Sequence, residues 1–343
     1  MNTPYHVIGL DIHKRMIAFC EKRLDGETVC EGTFLAGHDA IEQWAAQRTM
    51  PWIGGLEATL FSGYVYDTLL PYAIDLRVGH PLKLKAISTA KHKNDRLDAQ
   101  MLANLLRADL FPTCYMASPV VRELKRILRY RNFVVRQAVA LKNKTTGLLM
   151  EVGASYDSRR VHGEKYFEEL LGTLTDVPES VVEMLRTTRG GLQMFQSIQQ
   201  RLVRSLLQHD LLQERTRRLM SIKGVGEITA LTWVLEIDDP QRFSNLKKVQ
   251  SYCGLCSGQD ESAGKARRAP LSKQRNAHLQ TVLIEAAKLA PRWNPSLARV
   301  HAAEMARCNQ RNRATCAVAR RLVAYLMAVD RSGKPYEERS PAL

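Results

Sequence analysis

The apolar positions change period along the chain. Residues 5–10, YHVIGL, form a short apolar run that stops at Asp11, the pattern of a buried strand. MIAFCEKRLDGETVCEGTFL follows, with two part-alternating runs around Asp25-Gly26 that predict a hairpin. Residues 38–48 carry helical spacing. PWIGGLEA (51–58) predicts a second buried strand ending near Glu57, FSGYVYDTLLPYA a helix, and IDLRVGHP a further strand. A basic link, LKLKAISTAKHK, leads into a helix carrying Asp95 and Asp98. An initial hairpin followed by alternating strands and helices predicts an α/β domain.

From about residue 119 the period is almost wholly helical to residue 150. Residues 151–178 are mixed, with turns. A second helical stretch, 179–220, places Leu185, Leu192, Phe195, Leu202 and Leu206 at near-heptad spacing. That predicts a helical hairpin or coiled-coil arm suited to oligomerisation, with plain packing onto the body as the alternative. The last third opens on SIKGVGEITA, passes an irregular basic stretch, and is helical to about residue 329; the tail DRSGKPYEERSPAL reads as frayed. The expected divisions are 1–150, 151–217 and 218–343. The order of elements in the first of them resembles the RNase H-like fold.

Charge narrows the partner. Lys and Arg number 50 against 35 Asp and Glu, a net charge of +15 over 343 residues, which points to a polyanion and so to nucleic acid. No apolar run approaches the ~18 residues of a membrane span. MNTPYHVIGLDIHK lacks the basic start and long apolar stretch of a signal peptide. Seven scattered cysteines fit a reducing cytoplasm better than a disulfide framework. Cys253 and Cys256, in CGLC, have zinc or redox spacing, but no second pair accompanies them, and they read as ordinary buried thiols.

Four acids stand out. Asp11 and Glu57 each end an apolar strand, and strand ends gather at one edge of an α/β sheet. A carboxylate there is costly unless it is solvated, paired or bound to a cation. Asp95 and Asp98 lie at i and i+3 on one helix face. Two readings are open for this pair. In one, Asn94 or Asp95 is an N-cap and Asp98 sits in the first turn, where acids suit the helix dipole. In the other, the pair joins Asp11 and Glu57 in a four-carboxylate site. Oxygen-only ligands select Mg2+ or Mn2+ over zinc, and two such ions can clamp the attacking and leaving oxygens of a phosphodiester. Lys91, Lys93 and Arg96 then bring phosphate to the metal. His13, two residues past Asp11, either faces the same way or is a solvated surface histidine, the preferred reading.

Three segments carry the positive charge. Between Arg122 and Lys144 stand eight basic residues and one acid, Glu123, which predicts a surface facing nucleic acid. Gly224 and Gly226 lie between two helical segments, where glycines let the backbone turn tightly and approach a phosphate. The pattern is similar to a helix-hairpin-helix, with an ordinary glycine-containing turn as the alternative. Residues 254–279 read as a flexible loop for phosphate contact, and between Lys265 and Arg275 they hold five basic residues, Lys265, Arg267, Arg268, Lys273 and Arg275, and no acid. A serine there either hydrogen-bonds phosphate or attacks it.

VIGLDIHK, GLEAT, KNDRLDAQMLANLL, IKGVGEITA and YCGLCSGQDESAGKARRAPLSKQRNAHL, in that order and approximate spacing, resemble the DEDD-type transposases of bacterial insertion sequences. That family includes the pilin-gene invertase Piv and the bridge-RNA-guided recombinases. The resemblance implies an α/β RNase H-like (RuvC-like) N-terminal domain whose Asp11, Glu57, Asp95 and Asp98 hold Mg2+ or Mn2+. It implies a helical or coiled-coil middle and a mainly α C-terminal domain with a helix-hairpin-helix and a nucleophilic serine. Ser262, in QDESAG, fits the serine position better than Ser257; Ala263 separates it from Gly264 where the family often has Ser-Gly, and EATL stands where Glu-Ala-Thr-Gly is commoner. Further implications are a phosphoserine link to DNA, at element ends and target, and a structured noncoding guide RNA, as some members use. A homodimer or tetramer, no membrane, and a bacterial cytoplasmic, nucleoid-associated location also follow. The alternative is a metal-dependent structure-specific endonuclease, junction resolvase-like, using the same carboxylates with water as nucleophile. A binding protein whose acids are only caps is the third reading.

Overall fold

The first apolar run becomes β1 (His6–Ile12), a central strand of the N-terminal sheet. A computed structural model of the chain describes residues 5–87, 94–262 and 265–338. They divide into two compact units, Met1–Pro119 and Val120–Leu343. The first contains β2 (Met16–Lys22), β3 (Thr28–Leu35), β4 (Trp52–Glu57), β5 (Asp75–Gly79) and β6 (Thr113–Cys114) in the sheet order β3-β2-β1-β4-β5-β6. β1, β2 and β3 form an antiparallel meander, while β1, β4 and β5 run parallel. The predicted hairpin turns at Asp25-Gly26, where Gly26 adopts φ +102° and the Asp25 carboxylate accepts from the Glu27 amide at 2.9 Å.

Alternation along the strands assigns the two faces. Ile8, Leu10 and Ile12 of β1 pack with Trp52 and Leu56 of β4 and with residues of α1 (His38–Ala46) and α2 (Ser62–Leu69), including Ile41, Trp44, Val65 and Leu69. The opposite face carries Val7, Gly9 and Asp11. It receives α4 (Asp95–Arg107), with Leu84 of α3 (Pro81–Ile87) in the same cluster as Val7, Leu102 and Leu106. Beneath α4 the sheet offers small residues: Ala18 and Cys20 pack directly on Ala99 and Ala103. A Cβ on Gly9 would lie 2.0 Å from the Ala99 carbonyl oxygen and 2.5 Å from the Ala103 nitrogen. The helix therefore rests backbone on backbone over β1. Gly9→Ala is expected to destabilise this unit by about 3 kcal/mol, since neither backbone can yield cheaply; the urea midpoint measures it.

In the second unit, α5 (Pro119–Glu151) and α7 (Glu179–Leu207) run antiparallel, with Thr145 Oγ1 donating to Thr188 Oγ1 at 3.2 Å and Leu141 against Gly191. Leu185, Leu192 and Leu206 of the near-heptad set are buried, and Phe195 and Leu202 half-buried. α6 (Glu164–Thr173) seats Phe167 and Leu170 against Leu148, Leu149 and Leu185. α8 (Asp210–Met220), α9 (Glu227–Ile237), α10 (Leu246–Tyr252), α11 (Ala277–Leu289), α12 (Pro295–Cys308) and α13 (Arg311–Ser332) surround a core that includes Trp233, Leu283 and Leu322. A mixed α/β sheet followed by a mostly helical remainder matches the expected class. Among the described residues no helix is long and apolar enough to cross a membrane.

Two segments differ from expectation. The basic stretch read as a flexible loop contains an antiparallel hairpin of β7 (Ser257–Ser262) and β8 (Lys265–Leu271), with Asp260 opposite Arg267 and Ser262 opposite Lys265. Its polar composition carries no apolar period, which is why it reads as loop. The tail read as frayed is pinned as far as Tyr336. Asp330, with a side chain only 1% exposed, accepts from Arg215 Nε at 2.6 Å, Arg215 Nη2 at 2.8 Å and Trp233 Nε1 at 2.8 Å. The Tyr336 amide donates to Ser221 Oγ at 2.7 Å. A buried charge with three donors is invisible to a composition argument.

Candidate active site

The close seat of α4 sets the geometry of the acids. Asp11 ends β1 on the α4 face, and the parallel register pairs Leu10 with Leu56, so Glu57 follows Leu56 just as Asp11 follows Leu10. The two carboxylates are strand-end neighbours on one face. Asn94 caps α4, its side-chain oxygen accepting from the Leu97 amide at 2.8 Å. The cap expected at Asn94 or Asp95 thus falls on Asn94, and Asp95 and Asp98 occupy the first turn. His13 Nε2 lies 3.2 Å from Asp11 Oδ2 and 3.4 Å from Asp95 Oδ1. His13 is exposed, as a surface histidine is, and it also faces both acids. The i+2 step from Asp11 at a strand end is the signal that places it on the same face.

Burial pushes the Asp11 carboxyl above its ordinary value; the His13 imidazole pulls it down, and the charges of Asp98 and Asp95 push it up again. Acids converging on one another call for a cation. The carboxylate oxygens of the acids suit a divalent ion of the Mg2+ or Mn2+ class, so the acidic donors fit. Lys91 and Lys93 lie outside the described residues. Arg96 forms an ion pair with Glu31 of β3, which also accepts from Gln100 at 2.7 Å. The Gln100 hydrogen bond and Arg96 hold the Glu31 carboxyl below its ordinary value.

The second unit presents the phosphate-facing candidates. Gly224 adopts φ +98°, and a Cβ there would meet the Ala290 Cβ at 2.5 Å. Gly226 is the extended N-cap of α9 and supplies no side-chain cap, so the first-turn N–H groups of α9 are left for another acceptor. These glycines border a cleft of about 920 Å³ whose walls include Arg131, Arg136, His278 and Trp293. The eight cations of α5 do not form one uniform face. Arg129 pairs with Glu236, and burial pushes Lys125 and Arg131 down. Arg126 and Arg136 remain exposed on a stripe with Tyr130 and Phe133, whose rings stack at 5.8 Å.

Ser262, Lys265, Arg267 and Arg268 are strand positions near the turn of the β7–β8 hairpin, and Lys273 and Arg275 follow β8 as exposed residues. A residue absent from the sequence expectation anchors the hairpin's feet. Glu236, 3% exposed, accepts from Arg129 Nη2 at 3.1 Å and Asn276 Nδ2 at 2.9 Å. Burial pushes its carboxyl up, but Arg129, Asn276 and Lys125 outweigh that and hold it below its ordinary value. Asn276 also caps α11, and its amide donates to the Tyr252 carbonyl at 2.8 Å. Glu236→Ala is expected to cost about 3 kcal/mol in chemical denaturation, because Arg129 and Asn276 lose a buried anionic partner. An acid deep in the apolar run of EITALTWVLEI, nine residues after the first-turn Glu227, is the available signal. Cys253 is fully buried and its thiol is pushed up by burial, as for an ordinary buried thiol.

Two family models match the chain. Residues 216–302 match the model described as "Transposase IS116/IS110/IS902 family", and residues 8–153 match the DEDD model of IS110 type, described as "Transposase". Among similar proteins, a "Probable family 20 transposase" of Pseudomonas aeruginosa is 27% identical over 64% of this chain and 68% of its own length. The "Transposase for insertion sequence element IS1111A" of Coxiella burnetii is 25% identical over 68% of this chain and 64% of its own length. The "Transposase for insertion sequence element IS1328" of Yersinia enterocolitica is 22% identical over 62% and 65%. An acid-edged sheet matched by one model and a helical unit matched by the other define the class, a DNA transposase. The chain belongs to the DEDD-type IS110/IS116 family of insertion-sequence transposases.

Proposed function

We propose that this transposase cuts and rejoins DNA at element ends and target through a phosphoserine intermediate, with Asp11, Glu57, Asp95 and Asp98 holding Mg2+ or Mn2+. The observation that carries the reading is the descent of the acidic first turn of α4 onto the end of β1, made possible by Gly9. The antiparallel β3-β2-β1 meander continued by parallel β4 and β5 supports an RNase H-like domain. The Gly224–Gly226 turn between α8 and α9 supports a helix-hairpin-helix that receives a backbone phosphate.

A bound divalent ion supplies charge stabilisation to phosphate oxygens and eases deprotonation of an attacking hydroxyl. The chain's own groups do the rest. Lys265, Arg267, Arg268, Lys273 and Arg275 hold the strand beside the hairpin, with Lys91, Lys93 and Arg96 contributing near the acids. The Ser262 oxygen forms a bond to phosphorus as one DNA ester bond breaks, and the departing strand hydroxyl takes up a proton. Rejoining reverses this: a DNA hydroxyl attacks the phosphoserine and the serine oxygen regains its proton. One phosphoester replaces another at each step, so no external energy source is needed.

Residues 1–150 serve as the catalytic domain, 151–217 as an arm for dimer or tetramer assembly, and 218–343 as the serine-bearing domain. In that assembly the serine of one subunit works with the acids of another. The exposed Arg126, Tyr130, Phe133 and Arg136 stripe supports contact with nucleic acid, here assigned to a structured guide RNA as well as DNA. The test incubates the protein with Mg2+, labelled element-junction DNA and RNA from the flanking region. A protein–DNA adduct on denaturing gels supports the reading; cleavage with no adduct assigns a water-using endonuclease instead.

A further inference from the structure

We propose that His13 is a nitrogen ligand of the divalent ion at the acidic cluster, which biases the site toward Mn2+ over Mg2+. The inference rests on the metal-binding reading of Asp11 and Asp95 above. Its own basis is the position of one ring atom. His13 Nε2 lies 3.2 Å from Asp11 Oδ2 and 3.4 Å from Asp95 Oδ1, and one donor atom from each of the three residues falls within 4.8 Å of the others. Donors about 2.1 Å from a shared octahedral ion stand roughly 3.0 Å apart along each edge. The two edges that meet at His13 Nε2 are close to that spacing, and the third, between the acids, is within 4.8 Å.

A hydrogen bond accounts for this less well. A neutral imidazole nitrogen carries one proton at most, whereas Nε2 faces two carboxylates at once. The His13 amide donates to the Met16 carbonyl at 3.0 Å, which closes the β1–β2 turn and places the residue's backbone beside Asp11. Nitrogen donors raise affinity for first-row transition ions, while Mg2+ keeps to oxygen. The site is therefore not the all-oxygen set that the four acids alone describe. A second His–carboxylate group, His38, Asp39 and Glu42, is drawn from one exposed helix start and serves as the control.

The experiment is pulsed EPR and Mn2+ titration of the full chain. Nitrogen-14 modulation on bound Mn2+ is expected in the parent and in His38→Ala, and is expected to vanish in His13→Ala. The Mn2+ dissociation constant is expected to rise about tenfold or more in His13→Ala, with Mg2+ competition changed far less. His13→Gln retains a polar bridge to the acids but no imidazole. If it restores Mn2+ affinity in full, or if Asp11-dependent Mn2+ shows no nitrogen coupling in the parent, His13 is not a ligand and the proposal is overturned. Tighter Mn2+ binding by His13→Ala overturns it equally. Asp11→Asn separates the two levels: unchanged Mn2+ binding there overturns the acidic-site reading itself.

Discussion

Ser262→Ala is expected to bind element DNA normally and to form no covalent adduct, with strand transfer reduced about 10⁴-fold or more. Loss of a nucleophile removes the bond-forming atom, and neighbouring groups do not replace it. Ser257→Ala is the discriminating partner. Both serines lie in β7, five residues apart, at opposite ends of the strand. An extended strand separates them by roughly 17 Å. A phosphate attacked at one cannot be attacked at the other without moving the hairpin. Denaturing gels with labelled junction DNA read both variants, and an adduct that survives Ser262→Ala but not Ser257→Ala transfers the role to the earlier serine. Adduct formation by both variants removes the hairpin serines from the mechanism.

Asp11→Asn is expected to lower cleavage roughly 10³-fold, the effect of losing about 4 kcal/mol of charge stabilisation, and to melt at a higher temperature than the parent when no metal is added. The two directions oppose each other for one reason. Burial and the charges of Asp98 and Asp95 disfavour the ionised form of Asp11 in the folded chain. Its carboxyl titrates higher when folded than when unfolded, so at neutral pH the ionised group destabilises the fold, and the penalty fades as pH falls through the folded value. An amide of the same shape removes the repulsion. Structural caps would behave in the opposite way, since their loss lowers stability. Calorimetry with and without Mg2+ separates the cases: metal raises the melting temperature of the parent and leaves Asp11→Asn unmoved.

The sheet and most helices were legible because their periods are plain. YHVIGL and PWIGGLEA are too apolar for anything but buried strands, and the Asp25-Gly26 turn sits between two alternating runs. Asp95 and Asp98 were legible as a pair on one helix face. What escaped the sequence depends on long-range pairing. The β7–β8 hairpin is polar on both strands, so no apolar period announces it. Asp330 looks like a solvated tail charge until Arg215, far away in sequence, is placed beside it. Glu236 likewise acquires meaning only with Arg129 and Asn276 in contact. His13 is a surface residue, and its closeness to Asp95 is invisible in the sequence because Asp95 arrives on another element.

The seat of α4 on Gly9, Ala18 and Cys20 leaves no slack between helix and sheet. Side-chain volume at Gly9 acts as a shim: a methyl group added there meets the α4 backbone and lifts Asp95 and Asp98 away from Asp11 even though it touches none of them. Tolerance for mutation under the helix and tightness of ion capture above it are thus a single mechanical quantity, and a screen for one selects the other.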